Sequence, residues 1–123
     1  MKIRNTFFFL IIPGIIFLSG CGNKELKKDA KDIADVMCKN IEVMNKLRGA
    51  DPSDTVQVGK LQKEAKQVQI EMTIVYQEFK AKYKNKLQDD KFNKDFAKEL
   101  KKSMLDCPHL SAKDREAFEK ELK

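Results

Sequence analysis

VGKLQKEAKQVQIEMTIVYQEF, residues 58–79, carries the most regular apolar pattern in the chain. Val58, Leu61, Ala65, Val68, Met72, Val75 and Phe79 recur at alternating steps of three and four, the spacing that gathers apolar side chains into one stripe on an α-helix. A strand would need alternation with period two, and no run in the chain sustains it. Tyr83 and Leu87 continue the stripe slightly off its line, so this second helix is expected to run from Pro52 to Gln88, roughly 55 Å. Asp51-Pro52-Ser53-Asp54 supplies its start: an N-cap, a proline at the first helical position and an acid near the positive end of the helix.

The flanking segments read the same way. Upstream, Leu26, Ala30, Ile33, Ala34, Met37, Ile41 and Met44 form a single amphipathic stripe that Gly49 ends. Downstream, Asp89 and Asp90 cap a third helix carrying Phe92, Phe96, Leu100, Ser103 and Cys107 on one side, which Pro108 stops. Ser111 and Asp114 then have the spacing of a capping box for a short C-terminal helix with Ala117, Phe118 and Leu122. The fold class is therefore all-α: three main helices and a short fourth, as an up-down-up bundle or an elongated helical hairpin. Of 123 residues 36% are charged and only eight are Gly or Pro, a composition that suits helix and excludes collagen-like or linker-type chains.

The first twenty residues differ in kind. Lys2 and Arg4 precede an apolar run, Phe7 to Leu18, that contains no acid and is interrupted only by Pro13 and Gly14. As a helix those residues would reach roughly 18 Å, short of the hydrocarbon slab of a bilayer. The charged start, short apolar middle and small-residue end are those of an export signal. Leu18-Ser19-Gly20-Cys21 resembles the lipobox of bacterial lipoproteins, and the helical remainder resembles small helical envelope lipoproteins. That resemblance implies a diacylglycerol on Cys21, cleavage before it, and residence in the cell envelope on a lipid anchor. Gly22 and Asn23 are not Asp, which by the enterobacterial sorting rule favours the outer membrane over the inner. The expected organisation is a signal peptide at 1–20, a lipid-anchored tether at 21–25 and a helical domain at 26–123.

Removal of Lys2 and Arg4 with the signal lowers the net charge from +6 to +4. The remaining bases are interspersed with acids, not clustered into the face that nucleic acid requires, so no nucleic-acid partner is expected. Lys24, Lys27, Lys28 and Lys31 fall on one side of the first helix, next to the anchor. Two readings stay open for them, contact with anionic headgroups or a solvated face.

With Cys21 lipidated, Cys38 and Cys107 remain, a pair suited to a disulfide in an exported protein. Ideal antiparallel turns place Cys38 beside residue 64 and Cys107 beside residue 71, about 10 Å apart along the axis. The expected bridge thus requires a shifted turn or an early end to the third helix.

Chemistry-bearing constellations are sparse. Cys38, Cys107 and His109 lack the paired spacing of a metal site, His109 after a proline reads as a turn residue, and no nucleophile turn or glycine-rich phosphate loop occurs. No enzyme activity, metal or cofactor is expected. Two other features suggest binding. Val56, Ile70, Ile74 and Ala81 make a second apolar line on the second helix, opposite its main stripe, which either the third helix or another molecule must cover. Lys123, as the last residue, resembles the C-terminal lysine through which the major peptidoglycan-linked outer-membrane lipoprotein joins the cell wall; that resemblance implies an alternative role as a cell-wall-linked structural lipoprotein. The main expectation is a membrane-anchored, non-catalytic binding or structural module, with a protein partner or self-association through the second helix; a small enzyme or metal-binding protein is the lesser alternative.

Overall fold

In the computed structural model, the backbone is described for residues 12–123 and the side chains for residues 24–123. Four helices follow one another: α1 Ile12–Gly49, α2 Thr55–Lys82, α3 Asp90–Met104 and α4 Ala112–Glu121. Among the described residues no strand occurs, so the all-α expectation holds. Residues 1–11 of the expected signal segment, and the side chains of its remainder and of Cys21, lie outside the described residues, while the backbone of 12–20 and of the expected tether, 21–25, lies within α1.

α1 is the spine. Asp29 with Lys82, at 2.7 Å, and Lys39 with Glu71, at 3.4 Å, show α2 running antiparallel along it. Leu26 and Lys27 of α1 lie beside Asp95, Lys98 and Glu99 of α3, and Cys38 is bonded to Cys107 just past the end of α3, so α3 runs in the same direction as α1. Two apolar clusters sit against α1. One gathers Leu26, Ile33, Phe79 and Tyr83 with Phe92, Phe96 and Leu100 of α3, and the other gathers Val36, Val43, Ala65 and Val68. α2 and α3 meet through aromatic rings near their connecting turn, with Phe79 4.3 Å from Phe96 and Tyr83 5.0 Å from Phe92 between ring centroids.

The helix ends correct the expected boundaries. α2 begins at Thr55, capped by Asp54, whose carboxylate accepts from the Gln57 N–H at 2.9 Å. Asp51 instead accepts from the Ser53 N–H and hydroxyl and shapes the preceding turn. α2 stops at Lys82, six residues before Gln88, and Tyr83 to Asp89 fold into tight turns closed by Lys86 N–H to Tyr83 C=O and Asp89 N–H to Lys86 C=O. A straight helix would carry Leu87 roughly 12 Å beyond Phe79; the turns bring it back onto the Phe79 cluster. Asn93 then donates from its amide to the Leu87 carbonyl.

α3 likewise ends early, at Met104. Arg115 from α4 donates to the Leu105 and Cys107 carbonyls at 2.6 and 2.9 Å, satisfying acceptors that a longer helix would have bonded internally. Asp89 caps α3 as expected, and Ser111 caps α4 by accepting from the Asp114 N–H. Asp114 completes this cap by accepting from the Ser111 hydroxyl, not from its backbone.

Candidate functional site

Because α2 and α3 both pack on α1 but join each other only at their shared turn, an apolar groove opens beyond the aromatic cluster. Its volume is about 520 Å³, within the range of ligand pockets. α1 forms the floor with Ile33, Met37 and Ile41, α2 one wall with Met72 and Tyr76, and α3 the other with Phe96 and Leu100. The polar lining consists of Asn40, Thr73 and Gln77, and the Thr73 hydroxyl already donates to the Gln69 carbonyl at 2.9 Å. Lys80 stands at the rim with its ammonium 4.8 Å from the Tyr76 ring centre. None of the lining side chains is charged at neutral pH. The groove can shelter an apolar segment, but it offers no carboxylate or imidazole for proton transfer.

The outward line of α2 is uncovered. α3 does not wrap to that side, and Val56, Ile70 and Ile74 are 67%, 53% and 51% exposed; Ala81 is exposed with them. Of the two ways of covering this line, packing by the third helix is thus overturned. α3 is held on α1 by the disulfide and by its own apolar stripe.

Cys38 and Cys107 are bonded, their Cα atoms 5.6 Å apart. The early end of α3 supplies the condition this bridge required. His109 lies just beyond it in a shallow cleft lined also by Asp35, Lys39, Ser103 and Asp106. Its Nε2 is 3.5 Å from Glu42, and Glu42 is itself paired with Lys46 at 2.7 Å. The Lys46 hydrogen bond and charge hold the Glu42 carboxyl below its ordinary range and hold the Lys46 ammonium above its own. The charges here satisfy one another at the surface. Among the described residues, no group of three or more His, Cys, Asp or Glu side chains could hold a metal ion.

Lys24, Lys27, Lys28 and Lys31 are all exposed on α1. Lys28 pairs with Asp32 and Lys31 with Asp35, one turn on; the bond to Asp35 raises the Lys31 ammonium pKa. Half of the basic row is thereby partly neutralised. Lys123 is exposed at the opposite end of the chain. Among the described residues no helix is long and apolar enough to cross a membrane.

Sequence reasoning missed three features. The groove needs residues from three helices, and no local pattern announces it. Asp29 receives Lys82 and the Tyr83 hydroxyl, each at 2.7 Å, although it sits in a run of ordinary surface charges. Arg115 has no sequence signal as a cap for α3. Compared with known protein families, curated proteins and solved structures, the chain matches none.

Proposed function

We propose that the protein is a lipid-anchored envelope lipoprotein that acts as a non-catalytic binding module. The observation that carries the reading is the apolar groove, a ligand-sized concavity without charged lining. The lipobox-like Leu18-Ser19-Gly20-Cys21 supports the anchor, since two or three acyl chains hold a protein on a bilayer where one does not. Anchoring confines the module near its target and raises the effective concentration, so a contact of modest area is occupied.

The groove can be tested in place. A photoreactive phenylalanine analogue at Tyr76 of the full chain is expected to capture a molecule in intact envelopes. That adduct should disappear when Thr73→Trp fills the groove. Capture that is indifferent to the filled groove, or no adduct at all, contradicts the reading.

A further inference from the structure

We propose that α2 is the interface between two copies of this chain, joined in parallel through its outward face. The inference rests on the spacing of charge as well as on the uncovered isoleucines. Gln67, Ile70, Ile74, Gln77 and Ala81 follow the three-and-four spacing of a coiled-coil seam, with Ile70 and Ala81 at the two ends of its apolar part, and all five are exposed. Placing Ile70 at d and Ile74 at a puts Glu64, Glu71 and Glu78 at successive e positions. Lys66 and Lys80 then fall at g positions two heptads apart. One flank of the seam is therefore an acidic row and the other carries the lysines.

Those rows choose the direction of pairing. In a parallel pair each g position faces the e position five residues on in the other helix, so Lys66 meets the partner's Glu71, whose carboxylate is already 3.4 Å from Lys39 of its own α1 and would be shared between the two ammonium groups, twice over by symmetry. In an antiparallel pair like flanks face each other. The acidic row would then confront its own copy, and Lys66 would confront the partner's Lys80. Like charges so placed disfavour the wrong pairing.

The same face limits the contact's extent. Lys60 and Lys63 extend the seam toward the start of α2 and would face their own copies in a parallel pair. Their stems can lie along it while the ammonium groups turn to water, leaving close packing to residues 67–81. Such a short seam associates weakly in dilute solution and becomes occupied when chains are concentrated. On the lipid-anchoring reading, two chains held in one membrane also share a direction, which favours the parallel form; the charge rows do not depend on that reading.

Cysteine cross-linking tests the proposal. Gln67→Cys, Gln77→Cys and Ala81→Cys are each introduced into the full chain, with Lys113→Cys on α4 as an off-seam control, and the Gln67→Cys and Gln77→Cys proteins are also mixed. The protein is assayed in vesicles and also, as the Cys21→Ser form, at high concentration in solution. Each seam variant is expected to form a self-linked dimer about tenfold faster than the control, as residues facing their own copy at raised effective concentration should. Adding Ile70→Lys and Ile74→Lys, both at exposed positions outside the core, should abolish the links while helical circular dichroism is unchanged. Gln67→Cys linking only to Gln77→Cys shows an antiparallel pair and overturns the proposal, as does the absence of seam-specific links in both settings. Self-linked dimers of the Cys21→Ser form uphold the interface even if Cys21 proves to carry no lipid.

Discussion

Tyr83 shows how one side chain joins local and long-range structure. Its backbone N–H bonds the Phe79 carbonyl and ends α2, its ring packs between Phe79 and Phe92, and its hydroxyl donates to Asp29 on α1. Burial, reinforced by the Asp29 carboxylate, pushes the phenol up to about 12. A free phenol ionises near pH 10. The folded form therefore keeps its proton after the unfolded form has lost it. The stabilisation is fully present below about pH 10 and is lost as pH rises toward about 12. Denaturant melts should show falling stability across that window. Tyr83→Phe should cost about 1 kcal/mol at neutral pH, the net value of one hydrogen bond, and should flatten the alkaline fall. Equal alkaline losses in both proteins would assign the fall to other groups. Arg115 is the second such residue, and Arg115→Ala should cost about 2 kcal/mol because the Leu105 and Cys107 carbonyls lose a charged donor, measured by the same melts.

At the scale of the elements, the disulfide ties the end of α3 to the middle of α1 across a sequence separation of 69 residues. Replacing Cys38 and Cys107 together with Ser should lower stability by about 4 kcal/mol on the loop-entropy account, with hydrogen exchange rising first in α3 and α4. A loss confined to the turn around Cys107 would argue that the aromatic cluster alone holds α3. The elements themselves were legible because each carries its own periodicity and most carry a capping residue: Asp89 and Ser111 act where their spacing placed them. Their ends were less legible. Asp51 and Asp54 both suit a cap, and only the turn geometry chooses Asp54. The stop at Lys82 depends on where Leu87 can pack, which is set by α1 and α3. The outward line of α2 could be read from one helix alone; the groove, made where three helices fail to close, could not.

For the whole molecule, α1 with α2 and α3 laid on it leaves, among the described residues, an apolar groove and an apolar outer face on α2. Both suit a module that works by contact. The parallel direction of α1 and α3 also matters: it sets the disulfide, seats α4 at the far end and leaves α2 free on its outer side. On the proposed function, this module is held to a membrane through Cys21. Mass spectrometry of the protein isolated from envelopes of a bacterium expressing the full chain measures this most directly. The predicted result is an N-terminal peptide that begins at Cys21 and carries a thioether-linked diacylglycerol. A chain that retains residues 1–20, or a Cys21 peptide free of lipid, would contradict it.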